Sequence, residues 1–417
     1  MNAGKTPKAA PASPQEVLLL LFAVNIFSVM DRTIFSICAP HIADDLNLSD
    51  TQIGLLSGIL FSAFYALFGI PLARIADRGS RSQLIALSLA VWSAITMATG
   101  AAQNFMQLTL ARIGVAIGEA GATPASHAIL TERFSAAARP LVMAIHSAGA
   151  PVGAALGLSL GGFISTELDW RWAFVILGAP GSLLALLVWL RLRKNEAVPL
   201  TGQQDSNVYR DLKELFQSRP YIWLLAGFAT GAFVVNGLIQ WFPAYFVRAY
   251  GATTSEVGAA FGLAYGLGAF SGMIFGGLVG SRLVAKDRRW AMWVASLSYI
   301  IAAPLGAAAL ITQDITSAYL CTFLMSAAAT AAYGPAFAMV QELAPARLRA
   351  LASATAIMFA TLIGAGLGPV AVGSLSDLSG GGAAGLRLAM LAVLAIAPAT
   401  ALCYLVSARK MGAPDTN

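Results

Sequence analysis

Two ionisable residues, Arg112 and Glu119, lie inside a long apolar stretch at about 105–130. Roughly 20 apolar residues are enough to cross a membrane as a helix. The two side chains are two turns apart, so they share one helix face, about 10 Å apart along the axis. Asp31 and Arg32 interrupt the first apolar stretch in the same way. Because a charge at that depth is costly without a partner or water, we predict that these four residues form a site, with a structural ion-pair clamp as the alternative.

The chemistry available to this site is proton exchange combined with anion binding. Desolvation favours the neutral form of a buried carboxyl group, whereas a nearby arginine favours the charged form. Arginine keeps its proton, so Arg32 and Arg112 are fixed positive charges. With Glu119 protonated, two arginines face Asp31 alone and the site carries +1, which would attract an anion. We therefore predict Glu119 and Asp31 for proton coupling, Arg32 and Arg112 for substrate binding, and Arg32 as the direct partner of Glu119.

The composition identifies the class of protein. Of 417 residues, 58% are hydrophobic and 11% are charged, whereas soluble proteins carry about 25% charged residues. We therefore predict an all-α integral membrane protein. The net charge of +6 does not indicate nucleic-acid binding, because the basic residues lie in short loops. No cluster has metal-ligand spacing and no motif supports catalysis, so we expect no metal, no cofactor and no enzymatic activity.

Twelve apolar stretches alternate with short polar segments, six on each side of a longer polar region at about 191–219. We predict twelve transmembrane helices in two pseudo-symmetric six-helix bundles, with Pro124 of span 4 corresponding to Pro335 of span 10. A short amphipathic helix on the membrane surface is expected at 208–216. The predicted division of the chain is 1–15 as a disordered tail, 16–193 as the first bundle, 194–219 as a linker, 220–407 as the second bundle, and 408–417 as a second tail.

The distribution of basic residues predicts the orientation. Twenty-one Lys and Arg residues fall on the side of the N-terminus and three on the opposite side, while Arg32 and Arg112 lie in the membrane. This asymmetry places both termini in the cytoplasm and predicts a multi-pass protein of the cell membrane.

Glycines recur at every fourth position in several predicted spans, which lets membrane helices approach closely. We predict that these ridges join the two bundles, span 2 to span 11 and span 5 to span 8, with packing inside one bundle as the alternative. The ridges are Gly54 and Gly58 in span 2, Gly149, Gly153, Gly157 and Gly161 in span 5, Gly268, Gly272, Gly276 and Gly280 in span 8, and Gly364 and Gly368 in span 11.

The interiors of the last six spans contain no charged residue. A cavity between the bundles would then have one charged wall and one apolar, weakly polar wall. Such a cavity favours an amphipathic anion with its headgroup toward the first bundle. The neutral residues predicted to face the substrate are Asn236, Gln240, Tyr265, Thr330 and Tyr333.

The segment from Ala73 to Arg81 resembles the cytoplasmic signature Gly-x-x-x-Asp-Arg-x-Gly-Arg of the major facilitator superfamily. Ala73 replaces the first glycine, and the later glycine comes one position early, as Gly79. The segment from Gly149 to Gly153 resembles the glycine-proline helix of the same family. The resemblance implies the major facilitator fold and gating roles for Asp77, Arg78, Arg81, Gly149, Pro151 and Gly153.

The pattern of Asp31-Arg32 and Arg112-x5-Gly-Glu119 is similar to the spinster-like branch of that superfamily. This resemblance implies alternating access, proton coupling and transport of lysophospholipids or sphingoid phosphates. The partners expected are an amphipathic substrate, protons and the bilayer, with the protein as a monomer. A multidrug exporter and an organic-anion or sugar-acid symporter remain alternatives within transport, and a membrane enzyme or sensor is the alternative outside it.

Overall fold

The computed structural model describes residues 12–135, 138–192 and 208–411, and these ranges consist of helices and short turns without a β-strand. The all-α prediction is therefore confirmed. Most of the predicted tails, at 1–11 and 412–417, and most of the predicted linker lie outside the described residues. The tail boundaries at 15 and 408 are wrong, because the first helix already begins at Pro14 and the last continues to Lys410.

In the part of the chain that the structure describes, twelve spans form two six-helix bundles, as predicted. We call the side where span 1 begins the inner side, and the side where it ends the outer side. Eleven spans are long and apolar enough to cross a membrane, and span 4 consists of two shorter helices. The spans are Pro14–Leu46, Asp50–Ser57 with Ile59–Arg78, Arg81–Thr99, Phe105–Glu119 with Ala122–Arg133, Arg139–Ser147 with Gly149–Glu167, Trp170–Leu192, Arg219–Tyr250, Thr254–Val284, Trp290–Ile311, Ile315–Ala331 with Tyr333–Glu342, Arg349–Phe359 with Ala360–Leu367 and Gly368–Leu378, and Gly382–Leu394 with Ala397–Lys410.

Proline explains two breaks at equivalent places in the two bundles. Pro124 in span 4 cannot donate a backbone hydrogen bond to the carbonyl of Ala120, and Phe105–Glu119 ends there. Pro335 in span 10 has the same effect on Ala331, where the first helix of that span ends. The single helix predicted over 105–130 is therefore wrong in its continuity, while the predicted correspondence of Pro124 with Pro335 is confirmed.

The glycine ridges of spans 5 and 8 pack inside their own bundles, so the prediction that they join the bundles is wrong. A Cβ atom on Gly153 would lie 2.4 Å from the Ile26 carbonyl oxygen of span 1. One on Gly272 would lie 2.1 Å from the Ala327 carbonyl oxygen of span 10. Gly364 and Gly368 likewise face span 7. Spacing by four shows that two helices approach closely, but not which neighbour is approached.

Spans 5 and 8 do meet, through other glycines, and they diverge toward the inner side. Cβ atoms on Gly258, Gly262 and Gly266 would lie 2.2, 3.2 and 3.5 Å from the nearest atom of span 5. Each of these positions is one turn further inward along span 8. Span 2 meets span 11 as predicted, since a Cβ atom on Gly58 would lie 2.4 Å from the Gly366 carbonyl oxygen. The bundles therefore touch in the outer half, and we infer from the divergence of spans 5 and 8 that a cavity opens between them on the inner side.

The predicted linker helix is present as Val208–Leu215. Asp211 accepts a hydrogen bond of 2.8 Å from the Arg347 guanidinium, which also contacts Glu214. Leu215 is fully buried against the second bundle. This helix is thus held by protein contacts on the inner side of the second bundle.

Candidate functional site

The central feature of the site is an ion pair between span 1 and span 4. Arg32 Nη2 lies 2.6 Å and Nε 3.0 Å from Glu119 Oε2, and Ser28 Oγ donates to the same oxygen at 3.1 Å. The Glu119 side chain is 1% exposed, whereas that of Arg32 is 39% exposed. The second carboxylate oxygen, Oε1, is buried and has no hydrogen-bond partner among the described residues. The predicted pairing of Arg32 with Glu119 is therefore present, and it uses only one of the two carboxylate oxygens, Oε2.

The exposure of Arg32 and a neighbouring contact between the bundles place this residue at the inferred closed end of the cavity. One turn further outward, Ser36 Oγ donates a hydrogen bond of 2.8 Å to the Gln240 carbonyl oxygen of span 7, which joins the two bundles. Because Arg32 lies just inward of this contact, its exposed guanidinium surface faces the space between the bundles. A ligand that enters from the inner side would meet Arg32 at the end of its path.

A second ion pair lies behind the first. Arg112 Nη1 is 3.4 Å from Asp31 Oδ2, and Thr96 Oγ1 donates to Asp31 Oδ1 at 2.5 Å. Arg112 Nε also donates to the Leu56 carbonyl oxygen at 3.5 Å. The side chains of Arg112 and Asp31 are 3% and 5% exposed. The structure therefore brings the four predicted residues together. Arg112 was predicted to bind substrate, but its side chain is buried and does not reach the cavity surface.

Aromatic rings of spans 1 and 2 separate the two guanidinium groups. The Phe61 ring centroid is 4.7 Å from Arg32 Cζ and 5.1 Å from Arg112 Cζ. Tyr65 lies one turn along span 2 and covers Arg32 at 5.1 Å, while Phe35 covers Arg112 at 4.7 Å. Cation–π contacts hold both arginines in place independently of the carboxylates. Sequence analysis missed this role, although the four-residue spacing of Phe61 and Tyr65 was visible. We call Asp31, Arg32, Arg112 and Glu119 the membrane cluster.

Two of the neutral residues predicted to line the second wall, Asn236 and Thr330, bond their side chains to backbone. Asn236 Nδ2 donates to the Ala232 carbonyl oxygen at 2.8 Å. Thr330 Oγ1 donates to the Ala269 carbonyl oxygen of span 8 at 3.0 Å and to that of Ser326 at 2.7 Å. Their polar groups are therefore satisfied by backbone inside the second bundle.

The other three predicted residues differ from these. Tyr333 is 47% exposed and stacks on Phe337 with ring centroids 5.9 Å apart. Tyr265 is partly buried and stacks on Phe261 at 5.9 Å. The Gln240 side-chain nitrogen is buried without a hydrogen-bond partner in the described part of the chain. The second wall therefore offers mainly aromatic and apolar surface.

A second group of charged and polar residues joins the bundles at the outer ends of spans 2, 7 and 11. Arg248 Nη1 and Nη2 donate to both carboxylate oxygens of Asp50, at 2.8 and 2.7 Å. Ser376 Oγ donates to Asp50 Oδ2 at 2.6 Å, and Thr51 N donates to Asp377 Oδ2 at 2.8 Å. We call these five residues the outer cluster. Sequence analysis missed it, because charges at the ends of spans give no sign of their partners.

The residues predicted to act in gating all lie in the first bundle, on spans 2, 3 and 5. Asp77 and Arg78 end the second helix of span 2, and their side chains lie outside the described part of the structure. Arg81 contacts Glu132 at the end of span 4. Gly149 and Gly153 pack on span 1. The carbonyl of Pro151 faces Gly266 at the inward end of the contact between spans 5 and 8, 3.5 Å from where its Cβ would lie.

Comparison with known proteins decides the family. The family model described as Major Facilitator Superfamily matches residues 21–369. The chain belongs to this superfamily. A solved bacterial homolog of the human lysosomal transporter Spinster, in an inward-facing and unoccupied conformation, superposes with a TM-score of 0.86 and 29% identity over 96% of this chain and 98% of that one. This match assigns the protein to the spinster-like branch.

Two curated relatives extend the comparison. An MFS-type efflux pump of Mycolicibacterium smegmatis is 35% identical and covers 94% of this chain and 92% of its own length. A probable L-galactonate transporter of Escherichia coli is 27% identical over 64% of this chain and 61% of its own. The family and the fold are those of small-molecule transporters in membranes.

Proposed function

We propose that this protein is a proton-coupled secondary transporter of an amphipathic anion, with a phosphate or comparable headgroup and an apolar tail. The observation that carries this proposal is the Arg32–Glu119 pair, in which an exposed guanidinium is held by a buried carboxylate. Protonation of Glu119 would remove the charge that holds Arg32. The guanidinium would then be free to bind an anion at the closed end of the cavity.

The surroundings of the pair support this exchange. Glu119 Oε1 has no hydrogen-bond partner in the described ranges and can take a proton without the loss of a hydrogen bond seen there. Arg32 would remain in place above Phe61 and Tyr65 when its carboxylate partner is neutral. Asp31 and Arg112 neutralise each other nearby. The charge of the site therefore changes through Glu119 alone, from zero to +1.

Aromatic residues of the second bundle support an apolar tail. Tyr333 and Phe337 lie with their rings 5.7 and 6.3 Å from that of Phe228. Tyr333 is half exposed, so this group presents ring surface rather than hydrogen-bonding groups. Apolar pockets with few polar groups are typical of sites for lipophilic ligands. We propose that the tail lies against this aromatic surface while the headgroup binds Arg32.

The direct test is flux into proteoliposomes that contain the purified protein, with an imposed pH gradient. The substrates compared would be lysophosphatidylglycerol, sphingosine-1-phosphate, zwitterionic lysophosphatidylcholine and galacturonate. The proposal expects gradient-dependent flux for the first two, and at least about tenfold less for the other two. Flux that is equal with and without the pH gradient would contradict proton coupling.

Two alternatives have support from relatives. An efflux pump of lipophilic drugs fits the curated relative at 35% identity, and it predicts transport of cations such as tetraphenylphosphonium. A sugar-acid transporter fits the L-galactonate relative, and it predicts transport of galacturonate. The aromatic second wall favours an amphipathic substrate over a sugar acid, which would need polar partners on both sides. The same flux panel distinguishes all three.

A further inference from the structure

A groove of about 490 Å³ lies on the outside of the second bundle, away from the central cavity. Spans 8 and 9 form its walls and span 10 forms its floor. The floor is lined by small residues of span 10, namely Ala327, Ala328 and Ala331. The walls include Phe275 and Leu297, which are 65% and 55% exposed. We call this space the lateral groove.

The lateral groove is apolar along its whole length. Its two serines donate their hydroxyl hydrogens to backbone of their own helices, Ser271 to Gly268 O at 3.0 Å and Ser298 to Val294 O at 2.9 Å. From Ser271 to Leu283 the groove follows span 8 for about 18 Å. One hydrocarbon leaflet is about 15 Å thick, half of the roughly 30 Å core of a bilayer. The groove therefore has the length and the surface of a site for an acyl chain.

The inner end of the groove is basic. Leu283 and Trp290 mark this end. The last turn of span 8 contains Arg282, and the turn that follows contains Lys286, Arg288 and Arg289. Arg289 pairs with Asp287 at 2.7 Å, and Arg288 donates to the Met411 carbonyl oxygen at 3.0 Å. The side chains of Arg282 and Lys286 are exposed. The turn therefore keeps a positive excess at the level where lipid headgroups lie.

We propose that the lateral groove binds an anionic phospholipid of the inner leaflet, with an acyl chain between spans 8 and 9 and the phosphate beside Arg282 and Lys286. Basic residues at the mouth of a pocket between transmembrane helices favour anionic headgroups. A zwitterionic lipid would fill the groove equally well but would gain less from the basic turn. This inference does not depend on the nature of the transported substrate.

Native mass spectrometry of the detergent-purified full chain tests the proposal, with dioleoyl phosphatidylglycerol and dioleoyl phosphatidylcholine as probes. We expect the wild type to bind the anionic lipid about tenfold more tightly. The double variant Arg282→Gln with Lys286→Gln should lose most of this preference. A matched double variant, Lys213→Gln with Arg219→Gln, removes the same charge elsewhere on the inner side and should keep it.

A second variant tests the groove itself. Ala328→Phe fills the floor and should weaken binding of both lipids, whereas Ala179→Phe places the same side chain on an exposed face of span 6 and should change neither. Equal binding of the two lipids to the wild type would overturn the proposal. Unchanged binding to Ala328→Phe, with the variant eluting as the wild type does, would overturn the assignment to the groove. The charge variants involve exposed side chains, so they remain informative if Ala328→Phe fails to fold.

Discussion

The membrane cluster and the outer cluster are both built from ion pairs, but they connect different parts of the molecule. The membrane cluster lies within the first bundle, where Arg32 and Glu119 join span 1 to span 4. The outer cluster joins the two bundles, through Asp50 of span 2 and Arg248 of span 7. The first can therefore change its charge without moving the bundles. We propose that the first cluster serves substrate binding, and that the second breaks when the outer side opens and so serves closure.

The largest effect is expected from Glu119→Gln, which imitates the protonated carboxyl group. Flux driven by a pH gradient should fall to the level of empty liposomes, because Glu119 can no longer release a proton. Exchange of substrate at equal pH should persist, since that half-cycle does not require proton release. Glu167→Gln makes the same change at an exposed position of span 5 and should leave both activities intact. Full gradient-driven flux in Glu119→Gln would move the proton site elsewhere, with Asp31 next to be tested.

The two arginines of the membrane cluster should respond differently to substitution. Arg32→Lys replaces the exposed planar guanidinium, which can donate two parallel hydrogen bonds to an anion, by a single ammonium group. It should therefore weaken binding of anionic substrates by about tenfold. Arg112→Gln leaves Asp31 buried without its partner and should destabilise the fold by about 3–5 kcal/mol. Binding isotherms and thermal unfolding in detergent would measure the two effects. The distinction fails if Arg112→Gln weakens binding while leaving the unfolding temperature unchanged.

Asp50→Asn should open the outer side. Hydrogen bonds to a charged group contribute about 1.5–3 kcal/mol each, so loss of the bidentate contact should shift the population at least about tenfold. Spin labels at Asn47→Cys and Ser379→Cys, after replacement of the three native cysteines by serine, would report the distance across the outer side. Asp45→Asn is the matched control, because Asp45 pairs with Arg171 inside the first bundle. An unchanged distance distribution in Asp50→Asn would remove the outer cluster from the closure mechanism.

The smallest effect is expected from Asp77→Asn at the inner end of span 2. We predict that the Asp77 carboxylate favours the positive end of the helix dipole of span 11 when the inner side is closed, an interaction of about 0.3–1 kcal/mol. Its loss should enlarge the inward-open population by no more than about fivefold. Spin labels at Gln83→Cys and Gln341→Cys would report the distance between the two bundles across the inner side. Asp314→Asn is a control on the outer side. No change relative to the control would exclude a gating role for Asp77.

The contrast between the clusters also explains what the sequence could predict. Charges in the middle of an apolar stretch need partners, so Asp31, Arg32, Arg112 and Glu119 could be grouped from their positions alone. Charges at the ends of spans are unremarkable, and the contact between Asp50 and Arg248 depends on how two bundles meet across 198 residues of chain.

The same limit applies to packing. The repeat of Pro124 and Pro335 could be predicted, because the loss of a backbone hydrogen bond is a local effect. The neighbours of Gly153 and Gly272 could not, because a glycine ridge fits any closely packed helix. Burial of Arg112 behind Phe61 was likewise a matter of tertiary packing.

Proton uptake on substrate binding tests the exchange at Arg32 and Glu119 most directly. Anion binding and protonation of Glu119 should favour each other equally, because linkage between two sites is reciprocal. Addition of saturating lysophosphatidylglycerol to the protein in weakly buffered detergent solution, with a pH-sensitive dye, should therefore take up as much as about one proton per bound anion. The same addition to Glu119→Gln should bind the anion without proton uptake. Equal uptake by the wild type and Glu119→Gln would contradict the account.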